Sequence, residues 1–159
     1  MAPARATHYV RRMKIAIASD HASFALKAEL ADWLRELGHE VADLGTDGTA
    51  SVDYPDFGFK LAAHVAAGNA ERGIALCGTG VGISIAVNRN SAVRCALVTE
   101  PVSARLAREH NDANVLAMGA RIVGPELARG CIETFLATPF GGGRHAPRVE
   151  KLSKTPQDA

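Results

Sequence analysis

The stretch Gly73-Ile74-Ala75-Leu76-Cys77-Gly78-Thr79-Gly80-Val81-Gly82 passes from a short apolar segment into a glycine-rich turn, and residues 83–88 can begin a helix. The apolar segment is typical of a buried strand. Glycines let backbone N–H groups converge in the turn, and the N-terminus of a following helix adds positive potential. The stretch therefore predicts a strand–turn–helix unit that binds an anion, with the Cys77 thiol at its mouth as a candidate for chemistry.

The same alternation of strand and helix runs along the chain. Strands are predicted over 14–20, 39–44, 74–77, 93–98 and 115–118, and helices over 23–38, 55–68, 82–88, 101–111 and 125–137. Each strand is a continuous apolar run, which favours a parallel sheet covered by helices on both faces. We therefore expect an α/β fold, a three-layer α/β/α sandwich with a five-stranded, Rossmann-like parallel sheet. The order of the strands cannot be read from the sequence.

Local signals set the ends of the helices and of the domain. Ser23 is predicted to cap the first helix, and a proline opens each helix that begins at 55, 101 or 125. Residues 1–12 are rich in arginine and contain no acid, and we interpret them as a disordered extension rather than a transit peptide. After glycines 141–143, a last short helix is expected over 144–154. The prediction is one domain over residues 13–154 with a C-terminal helical tail.

Bulk composition excludes several classes of function. A net charge of +1 gives no reason to expect a nucleic-acid or membrane-surface partner, and no apolar run approaches the roughly 20 residues of a membrane helix. The three cysteines, Cys77, Cys95 and Cys131, are widely spaced and form no CxxC or Cys/His cluster. Neither a disulfide framework nor a structural zinc is expected, and no metal site is predicted. A cytoplasmic location fits best.

Polar side chains follow the predicted strands at their carboxyl ends, where open parallel sheets bind ligands. They are Asp20 and His21 after the first strand, the Cys77 turn after the third, Thr99 and Glu100 after the fourth, Arg121 after the fifth, and Tyr54 before the second helix. Each has a simpler explanation: Asp20 as a helix cap, His21 as a solvated loop residue, Cys77 as a small buried side chain. Their shared position favours a functional crevice.

A second polar group falls at the opposite edge. His110 and Asn111 end the fourth helix, so they should not reach the crevice of their own subunit. Either they cap that helix or they serve a neighbouring subunit. Arg144 and Arg148 follow the fifth helix, and two guanidiniums four residues apart on one helix face could clamp a phosphate. We therefore predict a site that is shared between two chains.

Three common motifs come close to the Cys77 turn without matching it. A Walker A loop requires a Gly-Lys-Ser/Thr ending, and the turn contains no lysine. The dinucleotide fingerprint belongs to the first strand–helix turn, whereas this glycine pattern lies in the third. A cysteine phosphatase loop requires arginine at position 83, where Ile83 stands. Without that arginine, phosphoryl transfer to the thiol lacks its bidentate charge stabilisation.

Several blocks, in this order, together resemble the type B ribose-5-phosphate isomerases over about residues 13–154. The blocks are Ser19-Asp20-His21, Asp53-Tyr54-Pro55, CGTGVGISIA over 77–86, EHNDANVL over 109–116, and Gly142-Gly143-Arg144-His145 with Arg148. Related families are the allose-6-phosphate and galactose-6-phosphate isomerases. Some members carry serine at the start of the turn and use a nearby glutamate as base. This sequence has cysteine at position 77 and glycine at position 82, so it resembles the members that use cysteine.

The resemblance implies isomerisation of ribose 5-phosphate to ribulose 5-phosphate in the pentose phosphate pathway, without a cofactor. Because no cluster of metal ligands stands out in the sequence, we expect metal-free proton transfer through an enediolate. Cys77 fits the base, since a helix N-terminus favours a thiolate. The oxyanion cradle would consist of the backbone N–H groups of Gly78, Thr79, Gly80, Val81 and Gly82. The Thr79 side chain can bind substrate or pass a proton.

The resemblance also assigns roles to the remaining polar residues. It implies that His110 opens the sugar ring, with Asp20 nearby, and that Asn111 orients the intermediate. Phosphate would be held by Arg144 and Arg148, together with His21 and Arg121, and Tyr54 would line the sugar site. The expected assembly is a homodimer with shared sites, and the sequence does not show whether two dimers form a tetramer. The alternatives are a hexose 6-phosphate isomerase, a cysteine phosphatase and a non-catalytic sugar-phosphate-binding subunit.

Overall fold

Five strands form the central sheet in the computed structural model, which describes residues 11–154 and residue 156. The strands are β1 Lys14–Ser19, β2 Glu40–Asp43, β3 Arg72–Cys77, β4 Cys95–Leu97 and β5 Val115–Gly119. The helices are α1 Phe24–Glu36, α2 Tyr54–Ala66, α3 Val81–Val87, α4 Pro101–Asn111, α5 Pro125–Ala137 and α6 Ala146–Leu152, with 3-10 turns at His21–Ser23 and Gly143–His145. The prediction for residues 1–10 lies outside the described residues. Arg11 and Arg12 pair with Glu71 and Glu40.

All strand pairs are parallel, and the strand order is β2-β1-β3-β5-β4. The parallel sheet is therefore confirmed, and β3 lies at its centre. Leu76 pairs with Ser19, and Cys77 pairs with Gly119. This register brings the carboxyl ends of β1, β3 and β5 to one line at the edge of the sheet.

Helices cover both faces of the sheet, which confirms the three-layer architecture. On one face, large strand side chains such as Ile17 and Met118 pack against α1, α4 and α5. On the other face, strand alanines such as Ala18 and Ala75 pack against α2 and α3. Small side chains on this second face let α3, which follows the Cys77 turn, lie close to the sheet. None of the described helices is long and apolar enough to cross a bilayer.

Ser23 occupies the predicted N-cap position of α1, but its side chain does not cap the helix. The Ser23 side chain makes no capping bond to α1, because its hydroxyl donates instead to the Cys77 carbonyl over 2.7 Å. Asp20 caps the preceding 3-10 turn by accepting a hydrogen bond from the Ala22 N–H, 3.0 Å away. The prolines do open α2, α4 and α5 as expected.

The last short helix predicted over 144–154 is present as α6, but it begins two residues later than expected. The segment forms a 3-10 turn at Gly143–His145 and then α6, so Arg144 and Arg148 do not lie on one continuous α-helix. Pro147 lies in the first turn of α6. Proline has no N–H and is favoured at that position, which explains why the α-helix begins here and not earlier.

Candidate active site

The Cys77 turn folds back over its own thiol. Cys77 is the last residue of β3, and only 4% of its surface is exposed. The N–H of Gly80 donates a hydrogen bond to the Cys77 Sγ over 3.1 Å. A donor at this position stabilises negative charge on the sulfur, so the predicted anion cradle already holds the thiol at one of its N–H groups.

The turn lies directly on β5 because two positions lack a side chain. A Cβ at Gly119 would lie 2.3 Å from the carbonyl carbon of Thr79, and a Cβ at Gly80 would lie 2.7 Å from that of Met118. Gly80 also has a φ of +80°, in the left-handed region that favours glycine. Glycine at both positions therefore sets the height of the cradle above the sheet.

Arg121 and Tyr54 flank the turn on two sides. A Cβ at Gly78 would lie 3.2 Å from the Arg121 guanidinium carbon, and a Cβ at Gly82 would lie 2.6 Å from the Tyr54 ring. The Arg121 N–H also donates to the Gly78 carbonyl over 3.0 Å. The structure thus brings a cation and a phenol, both predicted at this edge, into contact with the cradle.

The residues after β1 lie beside Cys77. The N–H of Asp20 donates to the Leu76 carbonyl over 3.2 Å, and Asp20 is buried. The Val52 N–H donates to Nδ1 of His21 over 3.1 Å. Because Nδ1 is the acceptor, Nε2 carries the ring proton and can donate to a ligand. The loop before α2 therefore fixes the tautomer of His21.

Two further side chains of this edge have defined partners. The Thr79 hydroxyl accepts a hydrogen bond from the Val81 N–H over 3.2 Å, and Thr79 is exposed, so its O–H can donate outward. Glu100 instead caps α4 by accepting from the N–H groups of Val102 and Ser103. Its position after β4 is thus explained by a structural role.

A second cluster forms where α4 meets the tail. The rings of His110 and His145 stack with centroids 4.4 Å apart and an interplanar angle of 18°. The N–H of Gly141 donates to the Glu109 carbonyl over 2.9 Å, which joins the tail to this helix end. Desolvation and the positive charges of His110, Arg144 and Arg148 lower the pKa of His145. The stack was not predicted, because the two histidines lie 35 positions apart in the sequence and no local pattern indicates such a contact.

The two clusters lie at opposite edges of the sheet. Cys77 ends β3 at the carboxyl edge, whereas His110 comes just before β5 begins and so lies at the amino edge. A six-residue strand separates the edges by roughly 15–20 Å. Within one chain, the structure therefore does not bring His110, Asn111, Arg144 and Arg148 to Cys77. No group of three His, Cys, Asp or Glu side chains able to hold a metal ion occurs among the described residues.

Comparison with known proteins agrees with both the fold and the sequence blocks. The family model "Ribose/Galactose Isomerase" matches residues 15–152. A solved ribose-5-phosphate isomerase B of Clostridium thermocellum is 54% identical, with a TM-score of 0.87, covering 89% of this chain and 95% of that one. Ribose-5-phosphate isomerase B of Escherichia coli strain K12 is 46% identical over 91% of this chain and 97% of its own length.

A relative with another printed substrate is nearly as similar. D-erythrulose-4-phosphate isomerase of Pectobacterium atrosepticum is 42% identical over 88% of this chain and 93% of its own length. The relatives thus share a reaction type on phosphorylated sugars and differ in the sugar. On the family model, the sequence identities and the matching fold, the chain belongs to the Ribose/Galactose Isomerase family and is a sugar-phosphate isomerase of that family.

Proposed function

We propose that the chain interconverts ribose 5-phosphate and ribulose 5-phosphate by metal-free proton transfer through an enediolate. The observation that carries the proposal is the hydrogen bond from the Gly80 N–H to the Cys77 Sγ, inside a turn of converging N–H groups. It combines a stabilised sulfur base with oxyanion donors on one short segment. The names of the Clostridium thermocellum and Escherichia coli relatives support a pentose substrate.

Cys77 acts as the base in this proposal. Its thiolate removes the C2 proton of the open-chain aldose, and the C–H electron pair forms the C1–C2 double bond of the enediolate. The carbonyl oxygen at C1 takes up negative charge as its double bond becomes single. The proton of the C2 hydroxyl passes to this C1 oxygen, the protonated thiol returns its proton to C1, and the C2 oxygen forms a carbonyl as the C1–C2 double bond becomes single. One thiol can serve both carbons, because it lies over one face of the planar intermediate.

The cradle stabilises the intermediate. Backbone N–H groups of the turn point at the developing oxyanion and need no reorganisation as charge appears. The outward O–H of Thr79 is a further donor. Arg121, against Gly78, adds positive charge beside the cradle, and Tyr54, against Gly82, lines the sugar. Loss of one such donor typically costs about a hundredfold to a thousandfold in rate.

A second copy of the chain supplies the other half of the proposed site. His110 would open the ring with Asp20 nearby, Asn111 would orient the intermediate, and Arg144 and Arg148 would hold the phosphate with His21. The separation of the two clusters within one chain supports this arrangement. None of the seven residues of α6 is buried in the single chain, and Leu152 is 55% exposed. A helix with an unburied apolar side chain fits a tail that packs on a partner.

The cysteines fit a reducing compartment. Cys77, Cys95 and Cys131 are all free thiols. Burial raises the pKa of the Cys95 thiol to about 12 and, together with the Glu100 charge, that of Cys131 to about 11. These two thiols stay protonated and serve as packing groups. We therefore place the enzyme in the cytoplasm, where thiols stay reduced.

A substrate panel combined with isotope exchange tests the proposal. Purified protein is offered ribose 5-phosphate, allose 6-phosphate, galactose 6-phosphate and erythrulose 4-phosphate, and turnover is compared as kcat/KM. Cys77→Ala should bind substrate and lose exchange of the C2 proton with D2O, with a rate loss of about a hundredfold to ten-thousandfold.

The partly buried thiol Cys95 provides the matched control. Cys95→Ala should keep exchange, since that side chain lies in β4 and outside the turn. Full exchange in Cys77→Ala would rule out this base. A higher kcat/KM for a hexose or tetrose phosphate would show that this sugar, and not ribose 5-phosphate, is the preferred substrate. The proposed mechanism would be unaffected.

A further inference from the structure

Arg108 is a buried cation on α4, with 3% of its surface exposed. Its Nε donates to the Thr138 carbonyl over 3.2 Å. Its Nη1 donates to the Ala113 carbonyl over 2.6 Å and to Asp112 Oδ1 over 2.8 Å. A guanidinium this deeply buried is costly unless it is paired, and these three bonds reach two different parts of the chain.

The first part is the turn that follows His110 and Asn111. Asp112 has a φ of +45°, a left-handed conformation that is unfavourable for a residue with a side chain. Arg94 holds the same residue from the other side, donating from Nε to the Asp112 carbonyl over 2.9 Å. The two arginines therefore fix the direction in which the chain leaves His110 and Asn111.

The second part is the start of the tail. Thr138 follows the last residue of α5, and three positions later Gly141 bonds to the Glu109 carbonyl. A Cβ at Gly141 would lie 2.9 Å from that oxygen, so the two segments are in direct contact. Beyond Gly141 the chain carries Arg144 and the ring that stacks on His110. Arg108 thus joins the root of the tail to the helix on which His110 lies.

We propose that Arg108 is a positioning residue, which fixes His110 and Asn111 relative to Arg144 and Arg148. It acts through the Asp112 carboxylate and the carbonyls of Ala113 and Thr138, and it does not touch substrate. This role rests on the proposed function, in which the four positioned residues form one half of the site. The ring-opening groups and the phosphate grip are then held as one rigid unit before substrate arrives.

The test compares Arg108→Met with Arg108→Lys and Asp112→Asn. Methionine removes all three hydrogen bonds. Lysine keeps the positive charge but lacks the planar guanidinium that bonds to both the turn after Asn111 and the start of the tail. Asp112→Asn is the mildest change, since asparagine tolerates the left-handed conformation. We expect kcat/KM of Arg108→Met to fall about a hundredfold, as a misplacement near 1 Å can produce. KM should rise as well as kcat fall, whereas simple loss of folded protein lowers the apparent kcat alone.

Arg105→Met is the matched control, one turn away on the same helix. Arg105 is exposed and, within residues 11–154, pairs only with the Glu109 carboxylate, so kcat/KM should stay within about twofold. The imidazole C–H signals of His110 and His145 give a readout independent of turnover. They should shift in the Arg108 variants as the stack loosens, and stay unchanged in Arg105→Met.

Each outcome separates this inference from the proposed function. A folded Arg108→Met protein with unchanged KM and unchanged His110 and His145 signals overturns the positioning role. If Arg108→Met does not fold, Arg108→Lys and Asp112→Asn decide, and wild-type values in both would equally overturn it. A wild-type protein that turns over no sugar phosphate would refute the proposed function, while the histidine signals would still report whether Arg108 holds the cluster.

Discussion

Gly119 lies beneath the Cys77 turn, and a single added methyl group there would collide with backbone rather than with a flexible side chain. The Cβ position is 2.3 Å from the Thr79 carbonyl carbon and 2.6 Å from its oxygen. Backbone cannot rotate away as a side-chain tip can, so the whole turn must lift from the sheet. The N–H that bonds to the Cys77 sulfur would move with it.

We therefore expect Gly119→Ala to lower the free energy of unfolding by about 1–3 kcal/mol, as overpacking does. The same change should lower kcat and leave KM nearly unchanged, because in the proposed mechanism the cradle stabilises the intermediate. Gly130→Ala is the control: it lies inside α5, and its nearest neighbour would be 3.8 Å away. That variant should gain about 0.4–1 kcal/mol with unchanged kinetics. Denaturant unfolding and steady-state assays measure both, and equal effects of the two substitutions would contradict the prediction.

Single residues also mark the limit of sequence reasoning. The candidate residues of the carboxyl edge could be named, because a topological rule places strand ends together without knowledge of strand order. The burial of the Arg108 and Lys27 side chains could not be predicted from the sequence. Lys27 is 1% exposed and donates to both carboxylate oxygens of Asp43, each 2.6 Å away. Long cations on helices ordinarily face water. The Lys27 partner Asp43 lies 16 positions away, and one of the three Arg108 partners, the Thr138 carbonyl, lies 30 positions away.

Elements whose ends depend on local chemistry were predicted well. Pro55, Pro101 and Pro125 open their helices by a signal contained in one residue. The Ser23 side chain does not make the expected capping bond, because its hydroxyl bonds to a tertiary partner, the Cys77 carbonyl. The tail helix begins later than predicted, and Pro147 is the residue in the sequence that indicates this later start.

His39 links two elements and should make their joint stability depend on pH. It lies between α1 and β2, is buried, and its Nδ1 accepts from the Met13 N–H just before β1, 3.2 Å away. Burial lowers the pKa of His39. The unfolded chain therefore takes up a proton below about pH 6.5 that the folded chain resists. Stability is fully present above that pH and is lost as the pH falls towards the lower folded pKa.

His39→Asn should flatten this dependence. The amide oxygen of asparagine can accept from the Met13 N–H but does not titrate in this range. Below about pH 6.5, the slope of unfolding free energy against pH should decrease by at most about 1.4 kcal/mol per pH unit. Urea unfolding at several pH values measures the slope. Parallel curves for the two proteins throughout that range would show that His39 does not contribute.

At the scale of the whole molecule, the layers of the fold could be predicted from the sequence and the order of the strands could not. Strand alternation and apolar runs were sufficient for the three layers, because those patterns are local. The order β2-β1-β3-β5-β4 depends on which strands pair across the chain, and no single segment contains that information. The separation of the two clusters could still be predicted, since a helix that precedes a strand must end at that strand's amino edge.

The proposed shared site predicts that activity recovers when two defective proteins are mixed. After subunit exchange between Cys77→Ala and Arg144→Ala proteins, half of the dimers are mixed, and each mixed dimer has one site with both residues intact. Activity should recover to about a quarter of the wild-type value at substrate levels below the KM of the Arg144→Ala protein.

Mixing Cys77→Ala with Thr79→Ala is the control for this exchange. Both changes lie on the same turn, so every site in a mixed dimer keeps one defect and no recovery is expected. Absence of recovery in the first mixture, with exchange confirmed by native mass spectrometry, would show that each site is built from one chain.

The burial of Cys77 has a consequence for the chemical durability of the enzyme. A thiolate on a surface is attacked by peroxides and electrophiles. Cys77 is 4% exposed, and Tyr54 and Arg121 lie against the turn that follows it. We expect this burial to slow attack by bulky electrophiles, and the charge of Arg121 to favour anionic sugars. In the proposed mechanism the fold thus protects the reactive sulfur, and covalent inhibitors of this protein would have to be small or shaped like its substrate.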